Sequence, residues 1–361
     1  MKTYTIVVLN GDGIGPEVID ATLQVLAAVE KRAGTFHLDF RPHPAGARYY
    51  RQTGTNMSPG TFAACQQADA VLKGPMGLPE VRNPDGTEAG ILGGVLRQGL
   101  DLFANVRPVR LFPAVTSALA GKTFGDIDYV IVRENTEGAY FSRGRGEVTP
   151  AGVTDLISIT RAGTERIVRF AFELARGRRG APRDGGRRVT CVDKSNVLRS
   201  FVLFRQVFEE VGASYPDVEK DCLYADAAAQ ALVLWPERFD VVVCENFLGD
   251  ILSDLGAATA GGLGFCPGAN VGAQHAVFET THGSAPSLAG KNKANPLAAI
   301  LAGAMMLERL GEGESARRIV TAVEDALREK KVRIDGDGCA IDGTQSVAEA
   351  VIRQIEAGRG E

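Results

Sequence analysis

Along the first hundred residues, short apolar runs alternate with stretches whose apolar positions recur every three or four residues. "TYTIVVLN" reads as a strand and "PEVIDATLQVLAAVEKRAG" as the helix after it. "FHLDFRPH" is a second strand, "PGTFAACQQA" a second helix and "DAVLKG" an apolar strand. Further on, "GTEAGILGGVLRQGL" reads as a glycine-loosened helix, and "DIDYVIVRE" and "VTDLISITR" as strands. "AGTERIVRFAFELARG" is a long helix. "RRVTCVDK" and "FDVVVCEN" are apolar strands with polar carboxyl ends, each leading into a helix, and two amphipathic helices, "ESARRIVTAVEDALREKKV" and "TQSVAEAVIRQIEAG", close the chain. This alternation predicts an α/β architecture with much parallel sheet, and α/β proteins place their chemistry where parallel strands end.

The glycine turn in "VVLNGDGIGPEVID" lies between the first strand and helix, where a dinucleotide-binding loop would be written. Its spacing is G-x-G-x-G followed by Pro16, not G-x-G-x-x-G, so a structural turn is the expected reading. Charged residues that an apolar core would not hold occur in four stretches. "LRQGLDLFANVRP" carries Arg97 and Arg107, "YVIVRENTEGAYF" carries Arg133 and Tyr140, "TCVDKSNVL" carries Lys194, and "ENFLGDILSDLG" carries Asp250 and Asp254. Spacing i, i+4 puts the last two carboxylates on one helix face about 6 Å apart, where they repel unless a cation lies between them. With Asp226 of "YADAAAQALVL" as a third oxygen donor, the set suits a hard divalent ion.

Composition narrows the class. The 361 residues suggest about two domains, and 45% hydrophobic with 23% charged residues is an ordinary globular balance. A formal net charge of -4 and a pI near 5.8 argue against nucleic acid or an anionic membrane as partner, so any anion site is local. The arginine-rich run from Arg176 to Val189 is read as a solvated loop. Six scattered cysteines without a C-x-x-C pair read as buried thiols in a reducing compartment. No apolar stretch reaches the roughly 20 residues that span a bilayer, and the cytoplasm is the expected location.

Seven blocks, "NGDGIGPEV", "LRQGLDLFANVRP", "RENTEGAYF", "VDKSNVL", "YADAAAQ", "GDILSDLGA" and "HGSAPSLAGKNKANP", occur in order between residues 10 and 296. Together they resemble the β-decarboxylating dehydrogenases, which act on 3-isopropylmalate, isocitrate, homoisocitrate and tartrate or D-malate. The resemblance implies a two-domain α/β fold that is not the Rossmann one. Residues 1–102 and 263–361 would form a cofactor domain from both chain ends, and 103–262 an inserted substrate, metal and dimerisation domain. The active site would be the cleft between them.

The implied reaction oxidises a malate-type 2-hydroxy acid and releases the carboxylate β to the new ketone. Arg97, Arg107 and Arg133 would clamp the two malate carboxylates bidentately. Asp226, Asp250 and Asp254 would hold Mg²⁺ or Mn²⁺, Lys194 would take the hydroxyl proton, and Tyr140 would return a proton to carbon. The resemblance further implies that Lys194 and Asp226 enter the site from the second subunit of a homodimer. The adenosine half of the cofactor would lie on His282, Gly283, Ser284, Ala285, Pro286 and Ser287, with Asn295 and Asp335 nearby. Ser287 stands where NAD-using relatives carry Asp and NADP-using ones Lys. Asp335 and Asp337 tip the expectation to NAD, with NADP as the alternative.

Where isopropylmalate enzymes place leucines ahead of the first arginine, this chain has Gly93 and Gly94, with Ile91 upstream, and it lacks the Ser/Asn pair of isocitrate enzymes. A 3-substituted malate of the isopropylmalate type is therefore expected first. Homoisocitrate, tartrate or D-malate, or a malate analogue from a specialised pathway, are the alternatives. A non-catalytic regulatory homologue would lack part of the lysine, tyrosine and aspartate set, and a nucleotide-binding regulatory module would lack the arginine and aspartate set as well.

Overall fold

The computed structural model describes residues 1–358. Its strands, in chain order, are β1 (Lys2–Leu9), β2 (Phe36–Pro42), β3 (Ala70–Lys73), β4 (Ala104–Arg110), β5 (Asp128–Glu134), β6 (Glu147–Thr149), β7 (Gly152–Thr154), β8 (Arg188–Asp193), β9 (Glu219–Tyr224), β10 (Val241–Cys244), β11 (Pro267–Val271) and β12 (Ala276–Thr280). Ten of them form one sheet in the order β2-β1-β3-β12-β11-β4-β5-β10-β8-β9, and β6 and β7 pair as a separate hairpin. Pairing is parallel from β2 to β12 and again from β5 to β9. The three ladders in the middle, β12/β11, β11/β4 and β4/β5, are antiparallel. The two parallel halves consequently run in opposite directions, joined at β11 and β4.

The parallel halves follow from strand composition. β3, β8 and β10 are almost wholly buried and rich in apolar residues, as strands covered by helices on both faces must be. The helix Leu297–Arg309 is buried nearly throughout and packs between the helices Gly15–Ala33 and Gly313–Arg328, which explains its lack of a polar face. Two expected elements differ. Only Gly93–Gly99 of the stretch 86–100 is helical, because the residues before it are drawn into a loop bridged between Arg82 and Glu88, with Asn56 accepting the Gly90 N–H at 2.9 Å. The run 153–161 is a strand only to Thr154; Ser158 bridges to Gly138, and Thr160 caps the helix Arg161–Gly177 instead. Four of the six cysteines are buried as expected, whereas Cys222 and Cys339 are half-buried. No described helix is long and apolar enough to cross a membrane.

The N-terminal glycine turn has a structural task. Gly13 adopts a left-handed φ of +56°, and a Cβ there would lie 1.9 Å from the Ser284 carbonyl oxygen, so only glycine admits the loop at His282–Pro286. The Ile14 N–H donates to that carbonyl at 2.8 Å. Between the glycines, Asp12 is fully buried and accepts the backbone N–H groups of Ala47 (2.7 Å), Arg48 (3.0 Å) and Gly77 (3.0 Å), pinning two loops to the turn. Asp12→Ala strands three donors inside the protein, so we expect a stability loss of at least about 3 kcal/mol, read as a lower urea midpoint at fixed protein concentration. A loss below about 0.5 kcal/mol would show that water replaces the carboxylate.

Candidate active site

A cleft of about 880 Å³ opens over the middle of the sheet, where the opposed halves meet. The antiparallel joint places Asn105 of β4 directly across from Arg133 of β5, and the helix Gly93–Gly99 supplies Arg97 from the side. The helix Asn246–Thr259 closes the far wall. It can approach because residue 249 is glycine: a Cβ there would lie 2.6 Å from the Arg133 side chain. Its start is fixed by Glu245, whose carboxylate accepts the Phe247 and Leu248 N–H groups.

The three arginines expected to clamp a substrate do converge on this cleft, each held by a polar partner. Arg133 is 1% exposed, donates to Asn246 Oδ1 at 2.9 Å and is ion-paired with Asp250. Arg107 donates to Asn105 Oδ1 (2.8 Å) and Ser253 Oγ (2.6 Å) and lies 3.3 Å from both Asp250 and Asp254. Arg97 donates to Asn270 Oδ1 at 3.2 Å and lies 3.6 Å from Glu279. Asn270 Oδ1 also accepts from Asn105 and Asn135, so one amide links the settings of Arg97 and Arg107.

Charge is concentrated here. Burial and the neighbouring Arg97 and Arg107 push the Arg133 guanidinium down to about 9, still charged at neutral pH. Burial alone would raise the Asp250 carboxyl, but Arg133 and Arg107 hold it below the usual carboxylate range. Asp254 moves the other way, raised chiefly by burial against the pull of Arg107. Glu279 resists its burial through Lys73 and Arg97 and drops to about 2. Tyr140 donates its hydroxyl to Asp250 at 2.8 Å, and burial together with that carboxylate raises the phenol, keeping it protonated as a proton donor must be.

Lys194 and Asp226 lie elsewhere. They pair with each other at 2.7 Å and neither lines the cleft. Among the described residues no three acidic, histidine or cysteine side chains gather as a metal-binding group. One chain therefore brings two carboxylates, Asp250 and Asp254, to one helix face, with Arg107 3.3 Å from both. Large apolar side chains are exposed close in the chain to both groups, Val197 (68% exposed) three residues after Lys194, and Phe247 and Ile251 (53%) in the helix that carries Asp250.

The residues expected at the adenosine form one rim. His282 and Gly283 line the cleft, Ser284 donates to the Gly77 carbonyl, Ala285 takes a left-handed φ of +37°, and Pro286 begins a short 3₁₀ turn with Ser287 exposed. The buried Nδ2 of Asn295, beside Gly264, has no partner among the described residues. Asp335 caps its own hairpin, accepting from Asp337 and Cys339 N–H groups through Oδ1. Gly93 and Gly94 line the cleft beside Arg97. In the arginine-rich run, Arg178 reaches Asp240 and Asp128, and Arg188 reaches Asp184 and Glu219, so these two are matched by carboxylates of the same chain.

Sequence reasoning missed Lys73, Glu279 and Asn270, which sit among the arginines, and Arg143 and Arg145 on the cleft rim. Glu279 stands three residues before the quoted "HGSAP" block and the two arginines directly after "RENTEGAYF", so proximity to those blocks was the available signal.

Comparison with known proteins agrees with this geometry. Residues 5–351 match the family described as isocitrate/isopropylmalate dehydrogenase. A 3-isopropylmalate dehydrogenase of Synechococcus sp. (strain JA-3-3Ab) is 40% identical over 98% of this chain and 94% of its own length. A probable tartrate dehydrogenase/decarboxylase of Agrobacterium vitis is 40% identical over 98% of each. The crystal structure of isocitrate dehydrogenase from Methylococcus capsulatus superposes with a TM-score of 0.85 at 37% identity, covering 98% of this chain and 99% of that one. On these matches the chain is an enzyme, a dehydrogenase that belongs to the isocitrate/isopropylmalate dehydrogenase family.

Proposed function

We propose that this enzyme carries out the oxidative decarboxylation of a malate bearing a substituent at C3, with NAD and Mg²⁺ or Mn²⁺, as a homodimer whose two clefts each use both chains. The convergence of Arg97, Arg107 and Arg133 with Asp250 and Tyr140 on one cleft carries this reading. Residues 1–102 with 263–361, and 103–262, would be the two domains flanking the cleft; residues 359–361 of the first lie outside the described residues. When bound, the dinucleotide supplies a hydride acceptor and the divalent ion a Lewis acid at the substrate's C2 oxygen. Asp250 and Asp254 fit that ion, with Asp226 of a second chain as the third donor. His282 to Ser287, Asn295 and Asp335 fit the adenosine half.

The chain's own residues do the rest. The guanidiniums hold the C1 and C4 carboxylates so that the C2 hydrogen faces the cofactor. Lys194 of the second chain takes the hydroxyl proton while the C2 hydride leaves for the dinucleotide, so that C2 becomes a ketone. The C3–C4 bond breaks, CO₂ leaves, and the electron pair stays on the enolate, whose C3 then takes the proton from Tyr140. The products are a 2-oxo acid, CO₂ and the reduced cofactor.

Absorbance at 340 nm with a panel of malates, Mn²⁺ and NAD should rise for at least one of them. We expect NAD to be preferred, because Asp335 and Asp337 disfavour a 2′-phosphate. A preference for NADP above about tenfold, or about 1.4 kcal/mol in transition-state binding, would mean that Lys291 and Lys293 outweigh those acids. No turnover with any malate would favour the non-catalytic class.

A further inference from the structure

We infer that the substrate's C3 substituent is held in a cationic subsite, with Arg143 as a specificity-determining residue, and that this substituent ends in an anionic group. The inference rests on the malate reading above and names the side group that reading leaves open.

The space that larger residues would fill at the start of the helix Gly93–Gly99 is bounded by guanidiniums. A Cβ at Gly94 would meet nothing within 4 Å. One at Gly93 would lie 3.8 Å from the Arg97 guanidinium and 3.9 Å from Nη1 of Arg143. Arg97 and Arg143 thus face one small opening, and an anion clamped by Arg97 at the malate core has Arg143 beside it.

The state of that arginine supports a ligand. Arg97, Arg107 and Arg133 each have a carboxylate within 4 Å, whereas Arg143 and the neighbouring Arg145 have none among the described residues. Both line the cleft. Arg145 rests on the Phe141 ring at 5.4 Å, which keeps its charge on the same rim. The lining holds six cationic side chains, adding Lys73 to these five, against three acids, Asp155, Asp250 and Glu279. Lys73 is matched by Glu279 and Arg133 by Asp250. Asp155, the third acid of the lining, makes no ion pair with either rim arginine, and its carboxylate lies where a Cβ at Gly146 would point. A malate dianion therefore leaves a cationic excess at Arg143 and Arg145.

A branched alkyl group placed there would strip water from a guanidinium and return no hydrogen bond, whereas a carboxylate or other planar or tetrahedral oxyanion accepts its fork. Ile91 and Phe141, also in the lining, are suited to the methylenes between C3 and that anion. An acidic side group in place of isopropyl follows.

The test measures kcat/KM with NAD and Mn²⁺ for 3-isopropylmalate, D-malate, isocitrate and homoisocitrate, the last two carrying carboxylates on substituents of different length. The enzyme should use an acid-bearing substrate at least about tenfold better than 3-isopropylmalate. Arg143→Gln should cut that ratio at least about tenfold, with part of it restored in Arg143→Lys, which keeps the charge and loses the fork. Preference for 3-isopropylmalate, use of D-malate with neither acid-bearing analogue, or an equal loss on every substrate in Arg143→Gln would overturn the inference while leaving the malate reading intact. Turnover of none of the four would instead overturn the malate reading itself.

Discussion

We expect Asp250→Asn to lower kcat by at least about a thousandfold, and dialysis of the unaltered enzyme against a chelator to do the same until Mn²⁺ is returned. Asp250 joins three groups of the site. It pairs with Arg133 and Arg107 and accepts the Tyr140 hydroxyl at 2.8 Å. A neutral amide takes the charge from one of the two carboxylates proposed to hold the divalent ion. It also leaves Arg133, which is 1% exposed, without its counter-charge. Lewis-acid stabilisation is worth several kcal/mol, and each 1.36 kcal/mol is tenfold in rate, so about a thousandfold is the smaller end of the expectation. Because the variant also disturbs a buried ion pair, chelation and restoration on the native sequence is the cleaner reading. Full turnover in metal-free buffer would remove the ion from the reaction.

We expect Lys194→Ala to reduce kcat by about 10² to 10⁴, the usual span of a general base, with dinucleotide binding retained. On its own chain Lys194 faces Asp226 outside the cleft, so this loss is expected only if the residue enters the cleft of a second copy. Subunit exchange separates that arrangement from a local role. Lys194→Ala and Tyr140→Phe chains, each inactive alone, combine in a heterodimer to give one site with both residues and one with neither. Random exchange of equal amounts should then restore about a quarter of the native activity. The exposed apolar side chains close in the chain to Lys194 and to Asp250 give the two copies a surface to bury. A fully active monomer in sedimentation, or a mixture as inactive as its components, would sink the shared site.

Local pattern was enough for much of the molecule. The buried parallel strands β3, β8 and β10 are legible as apolar runs, and the helices at 161–177 and 313–328 as a stripe of period 3.6, because burial on a strand or helix repeats within a few residues. The i, i+4 pair Asp250 and Asp254 belongs to the same class, as one helical turn sets its geometry, and the ordered blocks were sufficient to indicate the family. Where local pattern competed with distant contacts it failed: residues 86–92 look helical but are held as a loop by Asn56, and residues 155–160 look extended but serve as a bridge and a helix cap.

The tertiary structure alone decided which charges meet. Arg97 reaches Asn270, Arg107 reaches Ser253, and Lys73 reaches Glu279, contacts spanning 173, 146 and 206 positions along the chain. Those partners are fixed by strand order, in particular by the antiparallel joint of β11 and β4 between two opposed parallel halves. Arg143 likewise comes beside Gly93, and Lys194 pairs with Asp226 outside their own cleft. Periodicity carries information about a residue's own element and the side of it that is buried. The order in which elements assemble is settled by the packing of the whole sheet, so the sequence alone determined the elements, the family and most candidate residues, and the fold decided their constellation.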